Sequence, residues 1–243
     1  MSERAIQYYA NTQNVELKSE FMGRLQPGII PQSCNEADRE ALSEATLSRQ
    51  IWLAVHCAED EVHTVLAAHR MALRTAHRLL LIIAAPNPEA GNALRKEAEA
   101  LGFLTAQRSV EKTPGDECQI FIADTDEGLG LWYRLSPISF LGQSVKRGLR
   151  GVDPCEAAAL GSAILHGPWI GDHRLIYDKL DKADAARVVH HQEGLAKMVG
   201  QLMAPDVVAE MAQAAWMIAT EGAELSDALL DTMMDALDQS GTE

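Results

Sequence analysis

IWLAVHC (Ile51–Cys57), LLLIIAA (Leu79–Ala85) and QIFIA (Gln119–Ala123) are apolar almost end to end, and helix-period sequence fills 59–76 and 89–101 between them. A strand that faces water on one side alternates apolar and polar residues, whereas an unbroken apolar run marks a strand buried on both faces. ISFLG at Ile138–Gly142, AILHG at Ala163–Gly167 and ARVVH at Ala186–His190 read the same way, with a weaker run at Phe103–Gln107. Helices are expected at about 127–135, 154–161, 173–182 and 192–203. Strands alternating with helices through short Gly, Pro and Asp connectors specify an α/β fold, a Rossmann-like doubly wound parallel sheet. Such sheets bind ligands at the carboxyl ends of their strands, so the loops after strands are where function is sought.

The ends differ from this middle. Residues 1–50 read as an N-terminal segment and linker helix: a strand-like piece at Glu20–Leu25, a Pro-punctuated stretch QPGIIPQS, then a helix over 35–47. Residues 51–203 form the sheet domain, and 204–243 a C-terminal helical extension of two helices broken near Gly222. In the last of these Leu225, Leu229, Met233 and Leu237 recur every four residues, a single apolar stripe.

Composition bounds the function without naming it. The 243 residues are 47% hydrophobic and 23% charged, ordinary for a globular chain with one sizeable core or two small ones. Asp and Glu number 35 against 21 Lys and Arg, a formal charge of −14, which argues against nucleic-acid binding and against a polybasic membrane footing. The longest apolar stretch, Leu79–Pro86, falls short of a transmembrane span, and the start MSERAIQYYANTQ is too polar for a signal peptide. Cys34, Cys57, Cys118 and Cys155 form no CxxC pair, as expected in a reducing cytoplasm.

Two loops could carry chemistry. After the Gln119–Ala123 run comes Asp124-Thr125-Asp126-Glu127-Gly128. Its Asp-x-Asp fits a metal site, but Asp124 as N-cap with Glu127 three residues on is also a capping box, and that is the favoured reading. After Ile138–Gly142 comes a long loop, Gly142 to Glu156, with three glycines inside it and the cations Lys146, Arg147 and Arg150. Cations gathered in so acidic a chain point to an anionic ligand. Asp153 and Pro154 then make a good helix start, as N-cap and first helical residue. Glu156 has two readings of equal standing: it reaches back to the Asp153 amide in a capping box, or it accepts hydrogen bonds from a ribose diol while backbone amides meet a phosphate. His69 sits on the apolar face of Val62, Val65, Leu66 and Leu73, so it reads as a satisfied, half-buried histidine rather than a ligand. His56, His63, His69 and His77 follow no metal-ligand spacing, and no GxSxG, P-loop or Cys–His pairing is present, so no catalytic residue and no metal ligand is named.

Taken together, IWLA (51–54), AHRMALR (68–74), LLLIIAAPNPE (79–89), DTDEGLGLWY (124–133), SPISFLGQS (136–144) and DPCEAAALGSAILHGP (153–168) resemble the C-terminal domain of the 3-deoxy-D-manno-octulosonic acid (Kdo) transferases. The most specific of them, DPCEAAALGSAILHGP, resembles the family's NPLEPAALGKPVLFGP, and the likeness runs in order over about 20–240. The resemblance implies a GT-B glycosyltransferase that transfers Kdo from CMP-Kdo to a lipid A precursor in lipopolysaccharide biosynthesis. It implies no metal or other cofactor, with the CMP-sugar as donor substrate. The family's three CMP-contacting stretches fall on Ala85 and Pro86, on Asp126, Glu127 and Gly128, and on Asp153, Pro154, Cys155 and Glu156. Gly142 and Ser144 join them as nucleotide-binding positions, with Lys146, Arg147 and Arg150 as phosphate or carboxylate contacts. The resemblance thus favours the ribose reading of Glu156.

The departures are specific. Pro86 stands where the family has an arginine beside the nucleotide, Asn87 and Ala90 replace a histidine and a second arginine, and Val152-Asp153 replaces His-Asn. Asp126-Glu127 leaves acid where phosphate approaches, because Gly and Glu are interchanged. The expectation is donor binding that is weaker or altered, with Lys146, Arg147 and Arg150 as compensation. The chain starts where the family's second half starts, so the acceptor site and catalytic base are expected on an N-terminal domain, and this half is expected to be inactive alone. A homodimer through the C-terminal helices, and a cytoplasmic location at the inner face of the inner membrane through a longer enzyme, complete the expectation. Two other readings stay open: a degenerate, non-catalytic interaction module, and a GT-B enzyme using another sugar nucleotide.

Overall fold

Seven strands lie in one fully parallel sheet in the computed structural model, which describes residues 31–221 except 48. They are β1 (Ile51–Val55), β2 (Leu80–Ala84), β3 (Thr105–Gln107), β4 (Ile120–Ala123), β5 (Ile138–Leu141), β6 (Ala163–His166) and β7 (Ala186–Val188). Their order across the sheet is β3-β4-β2-β1-β5-β6-β7. The chain therefore builds outward from β1 to one side and then returns to lay β5 against its other side. That reversal is the switch point at which doubly wound sheets open a crevice. All seven expected strands are present, including the weak run before Gln107.

The apolar runs are buried on both faces, and the strand period divides them between two cores. Trp52, Ala54, Leu81, Ile83, Ile120, Ile122 and Phe140 point to one layer, against α2 (Glu59–Ala72), α3 (Gly91–Ala100) and α8 (Gln192–Gln201). Leu53, Val55, Leu80, Ile82, Phe121, Leu141 and Ile164 point to the other. That layer holds α1 (Glu36–Ala45), α5 (Leu129–Leu135), α6 (Cys155–Ala159) and α7 (Arg174–Lys182). A one-turn α4 (Arg108–Glu111), too short for a periodic signal, follows β3. A further helix occupies 205–221, and Met211 joins the first core while Ala215 and Ala219 join the second. The described residues from 31 to 220 belong to one compact unit. The strand-like piece at 20–25, the break near 222 and the stripe from 225 to 237 lie outside the described residues. Among the described residues no helix is long and apolar enough to cross a membrane.

His69 is satisfied as its neighbours imply, but it is fully buried rather than half-buried, because Trp52 and Phe103 pack against its ring. Trp52 Nε1–H donates to its Nδ1 at 3.1 Å, and its Nε2 lies 3.0 Å from the Gln119 carbonyl, so a neutral ring with the proton on Nε2 satisfies both partners. Burial pushes its pKa down to about 4.

Candidate functional site

At the carboxyl edge of the sheet a cleft of about 290 Å³ opens beyond β1, β2 and β4. Its walls are the loop after β2, including Ala85, Pro86 and Asn87, the loop after β4, including Asp126 and Gly128, and His56 at the end of β1. Leu129 and Trp132 of α5 close one side, and Gln32 from the segment before α1 covers part of it. No Lys or Arg lines this cleft among the described residues. His56, which follows β1 with a left-handed φ of 45°, is held below the ordinary imidazole range by burial, so it brings no positive charge at neutral pH. The cleft is near the size of small-ligand sites, and among the described residues its lining holds no cation to balance a phosphate.

The loop after β4 is not the helix start its spacing suggests. The α5 helix begins at Leu129, with Gly128 before it and no side-chain cap. Asp124 is buried and its carboxylate accepts from Gln107 Nε2 (2.6 Å), Ser109 N (3.0 Å) and Ser109 Oγ (2.7 Å). It ties the β4 loop to the end of β3, because a buried carboxylate must collect donors wherever it finds them. Glu127 turns from the cleft to Arg108, whose guanidinium donates to both its oxygens at 2.7–3.2 Å and also pairs with Asp38 of α1 at 2.9 Å. Of the expected acidic pair, Asp126 alone faces the cleft, and Glu127 is neutralised. Arg108 was not identifiable from sequence, since nothing local marks a buried cation whose partners lie 19 and 70 residues away.

The loop after β5 rests on a residue that sequence reasoning passed over. Glu61, in the first turn of α2 and almost fully buried, accepts from the backbone N–H groups of Gln143 (2.5 Å), Ser144 (2.7 Å) and Val145 (2.7 Å), and from Ala58 N (2.9 Å). Gln143 takes a left-handed φ of 53°, which turns successive amides inward into a nest, and the nest is filled by the protein's own carboxylate. Ser144 is buried, its hydroxyl donating to Leu141 O and accepting from Gly167 N, and Gly142 is buried beside it at the end of β5. Of the three cations, Lys146 pairs with Asp60, Arg150 with Asp172 at 3.1 Å, and Arg147 lies over the Trp169 ring. None of them lines the cleft.

Asp153 is not the N-cap its spacing suggests: α6 starts at Cys155 with the buried Pro154 at the cap position and no side-chain cap. Asp153 Oδ1 accepts from Cys155 N at 2.9 Å in a local turn one residue earlier, because an Asp side chain readily bonds the amide two residues on. Burial pushes the Cys155 thiol up to about 12, which keeps it protonated. Glu156 does not close a capping box. Its Oε1 accepts instead from Gln32 N at 3.2 Å, and partial burial raises its pKa above the usual carboxylate range. The structure thus places Ala85, Pro86, Asp126 and Gly128 in the cleft, and Glu156 beside it, joined to the cleft through Gln32.

No family model matches the chain. Sequence comparison finds the 3-deoxy-D-manno-octulosonic acid transferase of Haemophilus influenzae, 33% identical over 122 residues, covering 49% of this chain and 28% of that protein. A protein of Arabidopsis thaliana described as a probable mitochondrial transferase of the same name is 30% identical over 142 residues, covering 57% of this chain and 31% of its own. Among solved structures, the C-terminal CMP-Kdo binding domain of WaaA from Acinetobacter baumannii superposes with a TM-score of 0.69 at 20% identity, over 76% of this chain and 98% of that domain. The chain resembles the C-terminal domain of the Kdo transferases. The two curated Kdo transferases are matched over less than a third of their length, and the likeness to the WaaA domain establishes a shared Rossmann-like fold, that of a GT-B half.

Proposed function

We propose that this chain is the donor-nucleotide half of a Kdo-transferase-like glycosyltransferase, taking up the CMP portion of CMP-Kdo in lipopolysaccharide biosynthesis. The lipid A type acceptor and the catalytic base belong, on this reading, to a further domain, and the half is inactive without it. The reaction needs no metal. The observation that carries the reading is the meeting, at the carboxyl edge of the sheet, of two stretches far apart in sequence: the β4 loop through Asp126 and Gly128, and Glu156 of α6, both border the place that Gln32 occupies. Glu156 accepts the ribose hydroxyls, and the backbone of the β4 loop borders the rest of the nucleotide. With no Lys or Arg in the cleft lining, the phosphate is held weakly. The test is thermal unfolding of the chain with CMP, UMP and no ligand, in the native sequence and in Glu156→Ala. Ligand at a hundred times its Kd stabilises by about 2.7 kcal/mol. CMP is expected to stabilise the native chain and to lose that effect in Glu156→Ala; stabilisation by UMP alone moves the reading to another sugar nucleotide.

One observation favours a second reading, a non-catalytic interaction module that keeps the fold. The position beside the cleft where the family has an arginine is Pro86, and Lys146 and Arg150 are engaged elsewhere by Asp60 and Asp172. Absence of stabilisation by either nucleotide selects it.

A further inference from the structure

Gln32 is seated as a ligand would be. Its backbone N–H donates to Glu156 Oε1 at 3.2 Å, its carbonyl accepts from Arg134 Nη1 at 2.7 Å, and its side-chain Oε1 accepts from the Leu129 N–H at 3.1 Å. Three groups from two separate elements, a carboxylate, a guanidinium and a free backbone amide, converge on one exposed residue that belongs to neither element. The seat is also shaped for it. A Cβ at Gly128 would stand 2.5 Å from Gln32 Oε1, and one at Gly130 would stand 2.5 Å from the Gln32 carbonyl oxygen. Gly128 further takes a φ of 75°, which side-chain-bearing residues rarely adopt. Only glycines at both positions let the strand of chain around Gln32 lie so close. Gln32 is at the same time a wall of the cleft it partly covers.

We propose that the segment Pro31–Ser33 is an intramolecular strap that occupies the ribose side of the donor cleft through Gln32, and that a nucleotide must displace it to reach Glu156. This rests on the donor-nucleotide reading above and adds its regulation. The Gln32 N–H presents to Glu156 the same kind of donor as a ribose hydroxyl, so the two compete for one oxygen. Binding by a site that is open only part of the time is weakened by the fraction open, and loosening the strap returns that affinity.

The strap is tested in the full chain by calorimetric titration of CMP, with UMP alongside. Gln32→Pro removes both the N–H given to Glu156 and the oxygen offered to Leu129, and a proline after Pro31 suits an extended segment. It is expected to bind CMP about tenfold more tightly than the native chain. Gln32→Ala, which keeps the backbone and drops only the Leu129 bond, gives a smaller gain of about threefold and serves if the proline variant does not fold. Adding Glu156→Gln to either variant abolishes the gain. Equal CMP affinity in the native chain and both variants overturns the strap while leaving the donor reading intact. No binding of CMP or UMP by any of them overturns the donor reading and the strap with it.

Discussion

Glu61 and His69 show how single buried polar residues set this molecule. Glu61 collects the amides of Gln143, Ser144 and Val145, so its removal strands three inward-facing N–H groups at the switch point. Leaving such donors unpaired costs more than any one hydrogen bond supplies. Glu61→Ala is therefore expected to lower stability by about 3 kcal/mol or more in urea unfolding, with Glu61→Gln between it and the native chain. For His69 the sign of the pH effect follows from its neutral form being the buried one. Its folded pKa is about 4 against 6.5 when free, so between those values the unfolded chain binds a proton that the folded one refuses. The contribution is complete above about pH 6.5 and is lost as pH falls through about 4, on the order of 3 kcal/mol. Urea midpoints at neutral and acid pH should show this slope in the native chain and a flatter one in His69→Gln. The apolar neighbours of His69 announced in sequence that it faces the core, though not that it is fully buried; Glu61 carried no such sign, because a Glu in a helix's first turn looks like any other surface acid.

The strands were legible because burial on both faces forces continuous apolar runs, and the alternation of Trp52 and Ala54 with Leu53 and Val55 then feeds two cores. Helix starts were less so. Asp124 has the spacing of an N-cap, yet its carboxylate is drawn to Gln107 and Ser109, and α5 starts five residues later without a side-chain cap. What spacing cannot reveal is which donors the sheet brings alongside, here from β3 and α4. The same limit hid Arg108, which joins α4 to the β4 loop and to α1 through Glu127 and Asp38. Arg108→Ala removes the one cation these two carboxylates share and is expected to cost about 2–3 kcal/mol. Hydrogen exchange should then rise in α1 and in the loop from Thr125 to Gly128 while the amides of β1 and β2 keep their protection.

The molecule as a whole is an acidic chain, −14 in formal charge, whose candidate site has no Lys or Arg in its lining among the described residues. Of the stretches that resemble the Kdo transferases, the loops after β2 and β4 line the cleft at the carboxyl edge, and the substitutions at Pro86 and Asn87 lie in that cleft. Sequence could place these loops after strands; it could not foresee that Gln32, over a hundred residues from Glu156, would lie between them. The donor reading stands or falls on whether CMP binds at this edge. Adding CMP to the isotope-labelled chain and following backbone amide resonances tests it most directly. The largest shifts are expected on Gln32, Asn87, Asp126, Gly128, Leu129 and Glu156. Millimolar CMP that moves none of these amides, or that moves only residues at the opposite, amino edge of the sheet, would contradict it.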